Sequence, residues 1–261
     1  MNLREVAMVR YVLIVLAAML TACARQEAPV AIPQNTTTIG VAIGIGDEFY
    51  LDNLAHYGLG STYNKASVQD WKLPETMETA VKETLAAKYH IINARLNTDK
   101  IQGPIQYRTM SEAFASGFAK TPAIYSEMFD SKTYEAFPAD ALGYESGADL
   151  YLVFIPDNLI NQGTNQFYGI GLARRSTMMG IIHSHWLHTG YRLILLDGRT
   201  KAVLGSRTAK GQVIRSAPDA WWHETLGEIS PQQQAEIRFT LQDMLTNSIR
   251  QTLADLDLDK R

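Results

Sequence analysis

Three histidines lie close together in the segment His183-Ser184-His185-Trp186-Leu187-His188. Successive side chains of a β-strand point to opposite faces, so a strand here places His183 and His185 on one face and His188 on the other. Two imidazoles on one face can bind a metal ion together. Because no cysteine or neighbouring carboxylate completes such a site, we favour a polar strand whose histidines face solvent or a partner. A pH-sensitive surface is a further alternative, since imidazoles titrate near neutrality.

Tryptophans are the second candidate group. Trp221 and Trp222 are adjacent in a segment that precedes the last predicted helix. Two successive side chains of a regular element cannot both face one core, so at least one of them is a candidate for exposure. Exposed tryptophans anchor protein interfaces, and Trp186 joins this pair as a possible interface residue. The alternative, which we favour, is that the pair forms an apolar plug under the final helix.

Motifs for catalysis or nucleotide binding are incomplete. In the segment 143–147 (GYESG), Ser146 stands one place too late for a nucleophile elbow. The segment 44–49 (GIGDEF) begins like a dinucleotide-binding loop, but Phe49 replaces its third glycine and no helix follows at once. We expect its glycines to relieve crowding beside a buried strand. No catalytic residue is therefore assigned, and we predict that the protein is not an enzyme.

The N-terminus indicates a secreted and lipid-anchored protein. Two arginines precede an apolar run at 11–20, which is too short to cross about 30 Å of hydrocarbon but is typical of a signal peptide. The following Leu20-Thr21-Ala22-Cys23 resembles the bacterial lipobox. That resemblance implies cleavage before Cys23, a diacylglyceryl thioether on its sulfur and an acyl chain such as palmitate on the new amine. Residues 1–22 are then the signal peptide, and this covalent lipid is the only cofactor expected.

The compartment and the partners follow from this N-terminus and from the charge. Ala24 stands where an aspartate would signal inner-membrane retention, so we expect a periplasm-facing protein on the outer membrane. Cys23 is the only cysteine, which leaves none for a disulfide or for catalysis in the mature chain. The 261 residues carry 24 Lys+Arg and 27 Asp+Glu, for a formal net charge of -3, which argues against a nucleic-acid partner. The membrane and an envelope protein are the predicted partners.

The elements that must position these residues form one domain at 39–261, preceded by a flexible tether at 23–38. An apolar run at 39–45 predicts a buried strand, and 48–51 with 57–63 predicts a more exposed hairpin. A helix at 74–88 and a strand at 89–96 follow, so the first and last strands of this unit should be parallel neighbours.

The rest of the domain alternates strands with a few helices. Short helices are predicted near 110–118 and 121–129, strands at 150–155, 167–173, 181–196 and 201–206, and a long amphipathic helix at 231–256. The strand at 181–196 has a possible break at Thr189-Gly190, and the turn Asp197-Gly198-Arg199-Thr200 predicts an antiparallel hairpin. Ser230 and Gln233 fit a capping box for the last helix. The predicted fold class is mixed α/β, α+β-like, with helices covering a partly antiparallel sheet.

This order of elements resembles the periplasmic lipoproteins with an anticodon-binding-domain-like fold. That group includes the curli-secretion lipoprotein and activators of penicillin-binding proteins. The matching features are the strand at 39–45, Gly147-Ala148-Asp149 before an apolar strand, and the turn at 197–200 with its return strand and terminal helix. The family's turn usually ends in a glycine, where this chain has Lys201. The resemblance covers about residues 39–255.

Three functions from different classes follow. The first, implied by the resemblance, is a protein-binding or envelope-assembly module without catalytic residues. The second is a periplasmic metal-binding protein or metal-dependent hydrolase that uses His183 and His185. The third is the binding of a small ligand at the edge of the sheet, which requires a deep pocket.

Overall fold

The computed structural model describes residues 30–54, 62–100, 139–143, 147–157, 159, 167–176 and 183–258. Cys23, Ser146, the predicted signal peptide and the two helices predicted near 110–118 and 121–129 lie outside these residues. Within the described part of the chain, no helix is both long enough and apolar enough to cross a membrane.

The described residues form two five-stranded sheets and two α-helices. The strands are β1 (Thr38–Ile43), β2 (Glu48–Leu54), β3 (Thr62–Ser67), β4 (His90–Asn93), β5 (Leu150–Pro156), β6 (Ile170–Ser176), β7 (His183–Thr189), β8 (Tyr191–Asp197), β9 (Val203–Thr208) and β10 (Ile214–Ser216). The helices are α1 (Leu73–Leu85) and α2 (Pro231–Ala254). The first sheet has the order β4-β1-β5-β8-β9 and the second has the order β10-β7-β6-β2-β3. The mixed α/β fold class is confirmed, with two sheets where the sequence suggested one.

The first sheet combines parallel and antiparallel pairs. Strand β1 is parallel to both β4 and β5, which confirms the predicted parallel arrangement around α1. Strand β8 is antiparallel to β5 and to β9, which confirms the predicted hairpin. At the turn, Asp197 Oδ1 accepts hydrogen bonds from the Arg199 and Thr200 N–H groups at 3.1 and 2.7 Å. Lys201 has a left-handed φ of 61°, a backbone conformation that glycine adopts more readily than lysine.

The predicted long strand at 181–196 divides between the sheets at Gly190. Strand β7 lies in the second sheet and β8 in the first. The Gly190 N–H donates to the Gly169 carbonyl, and the Asp157 N–H donates to the Gly190 carbonyl. A Cβ atom at Gly190 would lie 2.4 Å from the Asp157 carbonyl oxygen, so only glycine fits this crossing.

One apolar core joins both helices to a face of each sheet. The buried stripe of α1 consists of Leu73, Met77, Ala80, Val81 and Leu85. The capping box of α2 is present as predicted, with Ser230 and Gln233 each accepting from the other's backbone N–H. The buried residues of α2 are those that its periodicity indicates, namely Ile237, Leu241, Met244, Leu245, Ser248, Ile249, Thr252 and Leu253. A smaller cluster covers the other face of the first sheet, which is why β5 is apolar throughout.

Two predicted segments pack more closely than expected. Strands β2 and β3 form an antiparallel hairpin, but β3 lies at Thr62–Ser67 and not at the predicted 57–63, of which 57–61 lie outside the described residues. Strand β2 is largely buried instead of exposed. The described part of the predicted tether, residues 30–38, contacts the body. Ile32 is only 6% exposed and belongs to the main core, and Val30 packs against Gly205. Strand β1 begins at Thr38, where the Asp149 carboxylate accepts from the backbone N–H.

Candidate functional site

A cavity of about 610 Å³ opens where the chain passes from the first sheet to the second between β1 and β2. It lies beside the carboxyl ends of the parallel strands β1 and β5, the edge at which open α/β sheets place their ligands. The start of β2 and the end of β3 form its other side. The described lining residues are Ile43, Gly44, Ile45, Gly46, Asp47, Glu48, Tyr50, Lys65, Ala66, Ser67, Gln69, Leu96, Thr98, Ile155, Pro156 and Tyr168.

The floor of the cavity is apolar and aromatic. Ile45, Tyr50, Ile155 and Tyr168 line it and are each less than a tenth exposed. The Tyr50 and Tyr168 rings meet edge to face, with centroids 5.5 Å apart. Burial, more than any neighbouring charge, raises the pKa of Tyr50, so its phenol is neutral at physiological pH. The floor therefore offers apolar surface and fixed aromatic rings to a ligand.

The rim of the cavity is polar and partly ion-paired. Lys65 Nζ lies 2.5 Å from Glu48 Oε1, and the Tyr50 hydroxyl donates to Glu48 Oε2 at 3.0 Å. Both oxygens of Glu48 are thus engaged, and the ammonium of Lys65 compensates its charge. These contacts connect the rim to the ring on the floor.

Asp47 is the charged residue of the rim that no described side chain neutralises. Its side chain makes no hydrogen bond or ion pair with the described residues, and the residue is exposed. Partial burial raises its pKa above the usual range, and the nearby carboxylates of Glu75 and Glu48 raise it further. The negative potential at Asp47 is therefore not balanced by a described side chain.

The glycines of the loop at 44–49 have a packing role, as expected. A Cβ atom at Gly44 would lie 2.6 Å from the Leu96 side chain. Gly46 has a φ of 112°, and a Cβ atom there would lie 3.0 Å from Pro74 at the start of α1. Asp47 and Glu48 belong to this loop, and their negative charges would repel a bound phosphate.

His183 and His185 share a face of β7, as predicted, but each has its own hydrogen-bonding partners. The ring nitrogens of His183 lie 2.7 Å from Arg174 Nη2 and 3.0 Å from Ser176 Oγ. His185 Nδ1 lies 2.8 Å from Asp219 Oδ1. Among the described residues, no group of three or more histidine, cysteine or acidic side chains is placed to hold a metal ion. These hydrogen bonds account for the two imidazoles, and metal binding stays an untested prediction.

His188 lies on the opposite face of β7 and is fully buried, and His185 is only 7% exposed. The expectation that the histidines of this strand face solvent is therefore wrong for these two residues. His188 Nδ1 lies 3.1 Å from the Gly169 carbonyl oxygen, and its ring stacks on Phe167 with centroids 4.9 Å apart. Nε2 is 3.7 Å from Asp52 Oδ2, beyond hydrogen-bonding distance. Burial raises the pKa of Asp52, and the contact with His188 opposes this shift.

The tryptophans pack against the body. Trp221 and Trp222 are half-buried at the edge of the main core, and Trp221 Nε1 donates to Glu236 Oε2 of α2 at 3.3 Å. Trp186 is also half-buried and lies 5.9 Å from Phe167 between ring centroids. This geometry favours the interpretation of Trp221 and Trp222 as a plug beside the final helix.

The sequence interpretation missed Tyr50, Lys65 and Tyr168 as site residues. They come from β2, β3 and the segment before β6, and no spacing in the sequence connects them. The loop at 44–49 was the available signal, because it identified one edge of the cavity.

Comparisons with known proteins assign no family. No family model and no curated protein matches the chain. Among solved structures, the chain is similar to a hypothetical protein from Chlamydia trachomatis, known at 1.65 Å resolution, with 12% sequence identity and a TM-score of 0.30. The match covers 85% of this chain and 96% of that one. A superposition this poor supports no argument about function.

Proposed function

We propose that this protein is a lipid-anchored envelope protein whose body binds a small ligand in the cavity between its two sheets. The observation that carries the proposal is the cavity itself, with its buried aromatic floor and polar rim. Its volume of about 610 Å³ suits a small organic molecule.

Binding fits the lining better than catalysis does. The described lining residues include neither cysteine nor histidine, and Lys65 is paired with Glu48. Ser67 and Thr98 have no general base within hydrogen-bonding distance among the described side chains. The polar groups of the rim can orient a ligand while the floor removes its apolar part from water.

The lipid anchor is the second part of the proposal, and it rests on the sequence. The segment Leu20-Thr21-Ala22-Cys23 follows an apolar run of signal-peptide length. With several acyl chains on Cys23, the body would be held stably on the periplasmic side of the outer membrane. An envelope-protein partner also remains a prediction, and crosslinking in cells followed by purification tests it. Failure to recover a reproducible partner would count against that role.

The binding proposal is tested by analysing what accompanies the protein out of the cell. Full-length lipidated protein is purified from its own cells in mild detergent, and small molecules released on denaturation are identified by mass spectrometry. Ser67→Trp places a large side chain at the cavity, where Ser67 is exposed and lines the wall. Thr62→Trp is the matched control, because Thr62 is an exposed hydroxyl residue of the same strand outside the lining.

We expect a compound that accompanies the wild-type protein and Thr62→Trp but is depleted at least several-fold from Ser67→Trp. Identical small-molecule profiles for the wild type and Ser67→Trp would overturn the proposal. So would the absence of any released compound from the wild type.

A further inference from the structure

We infer that the ligand of this cavity is an amphipathic organic cation, with its charged nitrogen beside Asp47 and its apolar part on the floor formed by Tyr50 and Tyr168. This inference rests on the proposed binding function and adds the chemical class of the ligand.

The net charge of the cavity rim indicates the sign of the ligand's charge. The charged lining residues that the structure describes are Asp47, Glu48 and Lys65, so acidic groups outnumber basic ones. Lys65 is already paired with Glu48 at 2.5 Å, so no side chain in the described part of the chain compensates the carboxylate of Asp47. Glu75 adds further negative potential at Asp47. An anionic ligand would meet net repulsion here, whereas a cation supplies the missing charge.

The floor determines that the cation is organic. A metal ion would be bound by several side chains together, and the described part of the chain has no group of three or more His, Cys, Asp or Glu residues placed to hold one. Tyr50 and Tyr168 instead line the cavity with aromatic side chains. Aromatic rings attract the apolar part of a ligand and also interact favourably with an ammonium or guanidinium group.

The cavity is polar at its mouth and apolar on its floor, so we expect a ligand with one polar end and one apolar end. Asp47, Glu48, Lys65 and Thr98 are exposed, whereas the residues of the floor are buried. A ligand that follows this gradient has its charged end at the mouth of the cavity and its apolar end inside. Many aromatic amines have this shape.

The experiment uses three probes of similar size and different charge. Full-length protein in nonionic detergent is titrated calorimetrically with 2-phenylethylamine, which is cationic, with 2-phenylethanol, which is neutral, and with phenylacetate, which is anionic. We expect the amine to bind about fivefold more tightly than the alcohol, and phenylacetate to bind most weakly. Added salt should weaken the preference for the amine.

Three variants locate the binding and its charge dependence. Asp47→Asn should reduce the preference for the amine over the alcohol to less than about twofold. Asp70→Asn is the matched control, because Asp70 is an exposed carboxylate close in sequence that does not line the cavity, and it should retain the preference. Ser67→Trp should weaken binding of the amine at least several-fold.

The contradicting outcomes separate the two proposals. Equal binding of the amine and the alcohol, equal effects of Asp47→Asn and Asp70→Asn, or no binding of the amine at millimolar concentration would overturn the cationic ligand. In each of these cases, a neutral or anionic compound depleted from Ser67→Trp in the purification experiment would still support binding in the cavity. If Ser67→Trp affects neither experiment, both proposals fail.

Discussion

Tyr191 connects the first sheet to α2 through its hydroxyl group, and Tyr191→Phe removes that connection. The hydroxyl lies 2.9 Å from Ser248 Oγ and 2.9 Å from Thr252 Oγ1. All three residues are at most 1% exposed, so water cannot replace the lost hydrogen bonds. The ring itself stays in place because phenylalanine has the same shape.

The expected loss of stability follows from these partners. Thr252 Oγ1 keeps two other contacts, since it accepts from the Lys210 N–H and donates to the Ser248 carbonyl. Ser248 Oγ has no other described partner and would become a buried unsatisfied hydroxyl. Each lost hydrogen bond costs about 1 kcal/mol, and an unsatisfied buried group costs about 1–3 kcal/mol. We therefore expect Tyr191→Phe to lower the free energy of unfolding by roughly 2–3 kcal/mol, and Tm by roughly 4–10 °C.

Urea denaturation of four proteins measures this effect. The wild type, Tyr191→Phe, Ser248→Ala and the double variant form a double-mutant cycle, in which we expect a coupling energy of about 1 kcal/mol. Tyr89→Phe is the matched control, because Tyr89 is also buried but its hydroxyl makes no hydrogen bond to the described residues, and it should change stability little. A loss below about 0.5 kcal/mol for Tyr191→Phe, or strict additivity in the cycle, would refute the reasoning.

Three further predictions concern the crossing between the sheets, a buried carboxyl and the anchor. Gly190→Ala should destabilise the fold by more than about 2 kcal/mol in urea melts, because its Cβ atom would lie 2.4 Å from the Asp157 carbonyl oxygen. Gly227→Ala is the control and should be nearly neutral, because no described atom lies within 4 Å of a Cβ atom placed there. Burial raises the pKa of Asp52 in the folded protein above its value in the unfolded chain. The contribution of this carboxyl group to stability is therefore complete below the unfolded-state pKa and is lost as pH rises through the folded-state pKa. Asp52→Asn should therefore exceed the wild type in stability near pH 7 and match it below about pH 4, as measured by urea melts; a difference independent of pH would contradict this. Cys23→Ser should abolish incorporation of labelled palmitate and release the protein from the membrane fraction, and retention of the label would contradict the anchor.

The sequence was most informative where local patterns determine structure. The helices near α1 and α2 were predicted, and their buried residues recur three and four positions apart because a helix places such residues on one face. The capping box at Ser230 and the hairpin at Asp197 were also predicted, since both depend on a few neighbouring residues.

The division into two sheets could not be predicted from the same patterns. It depends on Gly190, where the backbones of Asp157 and Gly169 approach closely although they are distant in sequence. The segment around Thr189 shows a break, but a break alone does not specify which sheet the next strand joins.

The cavity also depends on contacts between distant segments. Tyr50 and Tyr168 meet on its floor although they are more than a hundred residues apart in the chain. The histidines of β7 cluster in sequence, yet His183 and His185 hydrogen-bond to different neighbours. Proximity in sequence was therefore a poor guide to the site.

A crystal structure of the protein grown with saturating 2-phenylethylamine tests most directly whether the cavity is a ligand site. We expect electron density for the amine in the cavity, with its ring against Tyr50 and Tyr168 and its nitrogen within about 4 Å of the Asp47 carboxylate. Density for the amine elsewhere on the protein, with the cavity holding only water, would contradict it.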